Sequence, residues 1–195
     1  MPNLMVALFA CSHDPDPGTM PSAPSFPEPP VLEDNNAADG RFEGEITAEP
    51  ATLDITGEPV EFLTFNGTIP GPQVRVGVGD EVAIHFENDL PMDEEWPSGI
   101  HWHGIEGFNA SDGTPISQMA VMPGESFDYA FVASRPGVFW YHPHIRGAQA
   151  IFSGLYGPLV VQDPAEPELA DLGILPADER VVVLSDTWTA QGRVT

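Results

Sequence analysis

The feature that most constrains the fold is a series of short apolar or alternating runs from Phe42 onwards, separated by Gly and Pro. The runs are FEGEITA, VEFLTFNG, QVRVGVGD, EVAIHFEND, GIHWHG, SFDYAFVA, GVFWYH and GLYGPLVVQ. None shows the period of about 3.6 residues that a helix requires, and the runs recur about every ten residues. This pattern predicts an all-β domain, either an antiparallel sandwich or a small barrel.

The segments outside these runs have a different composition. Residues 12–41 are rich in Pro, Asp, Ser and Glu without periodicity, which predicts a disordered linker. Residues 164–179 are interpreted as a connector, and RVVVLSDTW within 180–195 as one further strand. Because a lone strand cannot form a domain, this strand either joins the first sheet or opens a second domain.

The first eleven residues end in the only cysteine of the chain, Cys11, after the apolar stretch MPNLMVALFA. This arrangement resembles the tail of a bacterial lipoprotein signal, in which a small residue precedes a lipidated cysteine. It predicts export to the periplasm or cell envelope, with a lipid anchor at Cys11. A frayed terminus with a chance cysteine is the alternative.

The charge balance narrows the classes of partner. Thirty acidic residues face six basic ones, all arginine, for a formal net charge of −24. Such a charge argues against nucleic acid and anionic membrane surfaces as partners. One cysteine excludes a disulfide framework and a Cys-rich zinc site. No apolar run has the length of a membrane-spanning helix, so no span is expected.

Four of the six histidines form two His-x-His pairs, IHWHG at His101 and His103, and YHPHI at His142 and His144. Roughly 0.2 such pairs are expected by chance. On a strand, residues two apart point to the same face, so each pair presents two imidazoles together. Imidazole binds copper, zinc, iron and nickel, and Gly104 leaves room for close approach after the first pair. The sequence therefore predicts a metal site.

Other interpretations remain open for these and neighbouring residues. The pairs could be exposed strand histidines, and zinc is an alternative metal, although its sites usually add a carboxylate or cysteine. His85 alternates with apolar neighbours in EVAIHFEN and is interpreted as a surface strand residue. Trp140 is expected beside the metal ligands. Met119 and Met122 are expected to fill gaps in the core.

Several longer motifs occur in a fixed order: TFNGTIPGPQVRVGVGD, HWHGI, DGTPISQMAVMPGESFDYAF, PGVFWYHPH and GLYGPLVV. This order resembles the N-terminal cupredoxin domain of multicopper oxidases, the group of laccases, bilirubin-oxidase-like enzymes and cuprous oxidases. The resemblance runs from Glu43 to Asp163, and RVVVLSDTW resembles the opening strand of the second domain. It implies a Greek-key β-sandwich of cupredoxin (plastocyanin-like) type over residues 42–163.

The resemblance also implies roles for the histidines. In the family, the first domain supplies half the histidines of a trinuclear copper cluster. By motif, His101 would bind the type 2 copper, and His103 and His142 would share one type 3 copper. His144 would bind the other type 3 copper. Asp112 matches an acidic residue that assists proton delivery, although a turn-forming Asp before Gly113 fits equally well.

The family also needs a type 1 copper, held by a cysteine and two histidines and linked to the cluster by a His-Cys-His stretch. This chain has four of the eight cluster histidines and no cysteine beyond Cys11. We expect the N-terminal part of a longer oxidase, inactive alone and completed by missing domains or a partner chain. The complete enzyme would oxidise an unidentified small reductant and reduce dioxygen to water. A stand-alone exported copper-binding or copper-sequestering module is one alternative, and a non-catalytic domain with vestigial histidines is another.

Overall fold

A computed structural model describes residues 28–37, 40–55, 57–92, 96–107, 109–176, 179–190 and 193–194, and the backbone of residues 5–10. Cys11 and most of the predicted linker lie outside this range. The strands are β1 Met5–Ala10, β2 Arg41–Asp54, β3 Pro59–Phe65, β4 Val74–Gly77, β5 Glu81–Asn88, β6 His101–His103, β7 Ser126–Val132, β8 Gly137–His142, β9 Gly157–Gln162, β10 Glu179–Leu184, β11 Thr189–Ala190 and β12 Arg193–Val194. The helices are α1 Gly147–Phe152, α2 Glu166–Asp171 and a 3₁₀ helix at Asn109–Ser111.

Two sheets make up the domain, and the predicted β-sandwich is confirmed. One sheet has the strand order β11-β12-β3-β2-β5-β7, and the other has the order β4-β9-β8-β6. All eight runs in the sequence form strands, β2 to β9. The sheets are mixed rather than purely antiparallel, because β2 pairs in parallel with β5 and β4 pairs in parallel with β9. Parallel neighbours require the chain to cross between sheets, as Greek-key connections do.

The core lies between the two sheets and is built by strand alternation. In β5, Val82, Ile84 and Phe86 are buried at 1% exposure or less, while the residues between them are only partly covered. Phe65 contacts Phe86 of its own sheet and Tyr141 of the other, with ring centroids 6.4 and 5.4 Å apart. Aromatic rings therefore join the two layers directly beneath the strand that ends in His142.

The segments flanking the sandwich contact it or each other. Leu32, in the last part of the predicted linker, is 8% exposed within the core, and Val31 forms a bridge with Gln73. The apolar side chain of Leu32 therefore anchors this part of the predicted linker to the sandwich. The predicted further strand is present as β10, which pairs antiparallel with β1 in a separate two-stranded sheet.

Arginines in the described part of the chain have specific partners. Arg75 pairs with Glu179 at 2.7 Å, and Arg180 pairs with Glu28 at 3.0 Å. Arg41 pairs with Glu43, and the Arg146 guanidinium lies 5.0 Å from the Trp96 ring. Within the described residues, no helix is long and apolar enough to cross a membrane.

Candidate metal centre

Strands β6 and β8 bring the two His-x-His pairs to one edge of the four-stranded sheet. The strands are antiparallel neighbours, with His101 opposite His142 and His103 opposite Trp140. In β6, Trp102 points into the core at 3% exposure, so the two histidines share the opposite face. β8 ends at His142, and Pro143 follows the strand where no ladder hydrogen bond is needed. The strand geometry predicted for His101 and His103 is therefore confirmed, whereas His144 lies beyond the end of β8.

The four imidazole rings form one cluster. The His101 ring centroid lies 5.6 Å from that of His103, 5.5 Å from that of His142 and 4.4 Å from that of His144. The His142 and His144 rings are stacked with centroids 5.4 Å apart. His101 and His142 are largely covered, whereas His103 and His144 are exposed. The cluster consequently has a buried side within the domain and an open side facing solvent.

Hydrogen bonds to backbone carbonyls fix the ring nitrogens that can bind a metal. Nδ1 of His101 lies 2.7 Å from the Asp112 carbonyl oxygen, and Nδ1 of His142 lies 3.0 Å from that of Pro143. Because a carbonyl only accepts, each Nδ1 carries the proton and leaves Nε2 with a free lone pair. A backbone carbonyl on the second ring nitrogen is the usual support of a metal-binding imidazole.

The ligand atoms lie at metal-binding separations. One nitrogen from each of His101, His103 and His142 lies within 4.8 Å of the others. Nδ1 of His103 is 3.2 Å from Nε2 of His142. Two nitrogens bound to one tetrahedral ion at about 2.0–2.1 Å would be about 3.3 Å apart. The His103–His142 spacing therefore fits one ion held between the two rings.

Burial favours the neutral form of three of the imidazoles, those of His103, His142 and His144. Burial of the ring lowers the pKa of His142 to about 3, with a smaller contribution from the neighbouring histidines. Burial also lowers the pKa of His103 and of His144, and His101 adds to both shifts. A neutral imidazole needs no deprotonation before it binds a metal. These three rings are thus in the metal-binding form at neutral pH.

Aromatic side chains surround the cluster on the protein side. The Trp140 ring stacks on His142 at 3.8 Å and on His103 at 5.1 Å between centroids. Trp140 was expected beside the ligands, and the structure places it there. On the other side of β6, Trp102 packs against Tyr129, Phe131 and Tyr141. The His103 and His142 rings are therefore held by contacts with Trp140, and β6 is held by the packing of Trp102.

The turn at Asp112 and Gly113 closes one side of the cluster. The Asp112 carboxylate lies 3.5 Å from Nδ1 of His101 and is partly exposed. Gly113 has φ +73°, and a Cβ there would lie 1.8 Å from the Ile100 carbonyl oxygen, so only glycine fits this approach. A cavity of about 410 Å³, bounded by Asp112, Thr114, Ser117 and His144 among others, opens beside it. Both interpretations of Asp112, the turn former and the acid near a ligand, are compatible with this position.

Side chains from one short stretch of sequence hold both ends of β6. The Tyr129 hydroxyl accepts a 2.8 Å hydrogen bond from the Ile100 N–H, directly before His101. Nη2 of Arg135 donates a 2.7 Å hydrogen bond to the carbonyl of Gly104, directly after His103. A Cβ on Gly104 would lie 2.9 Å from the Phe139 ring, which confirms the predicted close approach. Sequence reasoning missed Tyr129 and Arg135, because neither belongs to a metal-binding motif.

Residues interpreted as unrelated to the site had mixed outcomes. His85 lies on the outer face of β5, where its Nδ1 is 2.6 Å from Asp128 and Nε2 is 3.6 Å from Glu87. The prediction of a surface strand residue is confirmed. The prediction that Met119 and Met122 fill the core is wrong, since they are 88% and 43% exposed. Both lie in the loop before β7, in which Val121 between them is the buried residue, at 4% exposure.

Comparisons with known proteins agree with the geometry. The family model for multicopper oxidase matches residues 47–166. The multicopper oxidase MmcO of Mycobacterium tuberculosis is 41% identical over 144 residues, which cover 74% of this chain and 26% of the relative. The L-ascorbate oxidase of Cucurbita pepo var. melopepo is 42% identical over 132 residues, which cover 65% of this chain and 22% of the relative.

A solved structure of a multicopper oxidase has a similar fold. The multicopper oxidase from Campylobacter jejuni, described as a metallo-oxidase, superposes with a TM-score of 0.64 at 28% identity. The superposition covers 71% of this chain and 29% of the other. The chain therefore spans about a quarter of the length of the curated relatives it matches.

Proposed function

This chain belongs to the multicopper oxidase family, and from that premise we propose that His101, His103, His142 and His144 supply half of the ligands of a trinuclear copper cluster. The observation that carries the proposal is the clustering of the four rings, with ligand nitrogens of three of them within 4.8 Å. Neutral imidazoles are suitable ligands for copper. Copper ions bound here would accept electrons singly and pass them to dioxygen.

The distances support a division of the ligands between ions. His103 and His142, with nitrogens 3.2 Å apart, would share one type 3 copper. His101, held by the Asp112 carbonyl, would bind the type 2 copper, and the exposed His144 would bind the second type 3 copper. The open side of the cluster is where missing cupredoxin domains or a partner chain would add the remaining ligands.

Asp112 is the proposed proton donor of the site. Its carboxylate faces both His101 and the cavity beside His144, so it can exchange protons with water there. Reduction of dioxygen to water consumes protons, and an acid at this position would supply them close to the metal. Oxidation of a small reductant at a type 1 copper in another domain would complete the reaction of the whole enzyme.

We also propose that the protein is exported to the cell envelope. The support is the apolar stretch before Cys11 and the linker-like composition of residues 12–41. A lipid on Cys11 would tether the domain at the membrane surface. Palmitate labelling of cells that produce the wild type or Cys11→Ser tests this, and unlabelled wild-type protein would refute the anchor.

Copper titration of the metal-free chain tests the central proposal. We expect the wild type to bind copper in competition with a chelator, and His142→Ala to weaken binding because it removes the most buried ligand. His85→Ala is the matched control, since His85 is also a strand histidine but lies on the outer face of β5. Equal binding by wild type and His142→Ala, or an intense blue type 1 spectrum, would contradict the proposal.

A further inference from the structure

Strand β6 carries two of the proposed ligands but has little secondary structure to hold it. It contains three residues and, among the strands that the structure describes, it is an edge strand paired only with β8. An edge strand has one row of backbone groups without a neighbouring strand. The backbone of His101 and His103 therefore needs other contacts if their rings are to keep a fixed orientation.

Contacts of this kind exist at both ends of the strand. At the N-terminal end of β6, the Ile100 N–H donates to the Tyr129 hydroxyl at 2.8 Å, and Nε2 of Gln118 donates to the same oxygen at 3.0 Å. Tyr129 is 1% exposed and lies on β7, in the opposite sheet. Leaving a buried N–H without a hydrogen-bond partner is costly. The hydroxyl therefore fixes the position of the start of β6 relative to the opposite sheet.

At the other end, Arg135 binds the carbonyl that follows the strand. Its Nη2 donates to Gly104 at 2.7 Å, and its guanidinium carbon lies 4.7 Å from the centre of the Phe139 ring. Glu106 lies 3.8 Å from Nε on the outer side. Stacking and an ion pair limit the orientations of the guanidinium, which then directs a charge-assisted hydrogen bond at one carbonyl.

We propose that Tyr129 and Arg135 are positioning residues that fix the two ends of β6 and thereby the orientation of the His101 and His103 ligands. Both come from the stretch that continues into β8 and His142, so one segment places three ligands relative to one another. The inference rests on the proposed function, because it concerns how the chain prepares its copper ligands. Neither residue is in contact with a ligand atom of the cluster.

The test compares copper binding by Tyr129→Phe and Arg135→Gln with that of the wild type. The matched controls are Tyr156→Phe, which removes another buried hydroxyl, bonded to Ser185, and Arg180→Gln. Arg180 also donates to a backbone carbonyl, at 2.9 Å, and pairs with a glutamate away from the histidines. Near-ultraviolet circular dichroism establishes that each variant is folded before titration.

We expect Tyr129→Phe and Arg135→Gln each to weaken copper affinity about tenfold, the usual effect of removing a contact behind the ligands. The electron paramagnetic resonance spectrum of bound Cu²⁺ should change with them, because the ligand directions change. Both controls should keep wild-type affinity and spectrum. Arg135→Lys should retain more affinity than Arg135→Gln, since an ammonium can still donate to Gly104.

Two different failures are distinguishable. If folded Tyr129→Phe and Arg135→Gln bind copper as the wild type does, with the same spectrum, the positioning role is refuted and the proposed function stands. If the wild type itself binds no copper, the proposed function is refuted. In that case, amide hydrogen exchange of Ile100 in the metal-free chain still tests whether Tyr129 fixes β6. Equal protection of the Ile100 N–H in the wild type and in Tyr129→Phe would refute that role as well.

Discussion

Replacing Asn88 with alanine should destabilise the domain strongly, although no charge or large apolar group is lost. Asn88 is fully buried at the end of β5. Its Nδ2 donates to the carbonyls of Trp96 at 2.9 Å and Val121 at 2.8 Å, and its Oδ1 accepts from the Leu90 N–H at 3.2 Å. One side chain thus links the end of β5 to the two loops that contain Trp96 and Val121.

The magnitude follows from these three bonds. At a net value of about 1 kcal/mol each, Asn88→Ala should lower the free energy of unfolding by about 3 kcal/mol. Since small domains have a total of about 5–15 kcal/mol, the variant should remain folded. Urea unfolding of the metal-free chain, followed by tryptophan fluorescence, measures the change. With a urea slope of about 2 kcal/mol per molar, the midpoint should fall by about 1.5 M.

Two further variants separate burial from side-chain size. Asn66→Gly removes an exposed asparagine that bonds Thr47 and Glu45 and keeps the positive φ of that position, so it should cost much less. Asn88→Asp preserves the side-chain volume but replaces the donating Nδ2 with an oxygen that faces two carbonyl oxygens. It should therefore lower the free energy of unfolding at least as much as Asn88→Ala. A loss below about 1 kcal/mol for Asn88→Ala, or one equal to that of Asn66→Gly, would refute the reasoning.

Two other perturbations are predicted from local geometry and charge. Gly113→Ala should destabilise the chain and weaken copper binding in a chelator competition, because its Cβ meets the Ile100 carbonyl at 1.8 Å. Gly40→Ala, at φ +79° where no described atom beyond the two neighbouring residues lies within 4 Å of an added Cβ, should cost only the conformational penalty of about 1–2 kcal/mol; equal losses would show that the contact is not limiting. The hydrogen bond and charge of Asp128 raise the pKa of His85 above 6.5, so its stabilisation is complete below that value and is lost as pH rises through the raised pKa. The melting-temperature difference between wild type and His85→Gln should therefore be larger at about pH 5.5 than at about pH 9, and the opposite trend would contradict the ion pair.

Features that depend on the two-residue period of a strand were predictable from the sequence. The same alternation places Phe86 in the core and His85 on the surface, and it places His101 and His103 on one face of β6. The end of β8 at His142 was predictable too, because Pro143 cannot donate to a ladder. Local chemistry was sufficient in each of these cases. The roles of the four histidines and of Asp112 in binding copper and protons stay predictions.

Features that depend on the meeting of distant segments were not predictable in this way. In SFDYAFVA, nothing distinguishes Tyr129 from any core aromatic, since the partner of its hydroxyl, the Ile100 N–H, lies 29 positions earlier, directly before β6. Arg135 has the same limitation, because its acceptor is a backbone carbonyl. Met119 and Met122 were misplaced because residue type suggested burial, whereas in this loop Val121 is the residue that enters the core.

The pairing of the arginines has a consequence for how the domain behaves in solution. Among the described side chains, each arginine already contacts a carboxylate, a carbonyl or a ring, while the formal charge remains −24. Compensation of the excess charge therefore falls to small cations in the surrounding water. Their atmosphere extends over about 8 Å at physiological ionic strength and about 30 Å at 0.01 M. The chain is accordingly a polyanion, around which divalent cations should be concentrated relative to bulk solution.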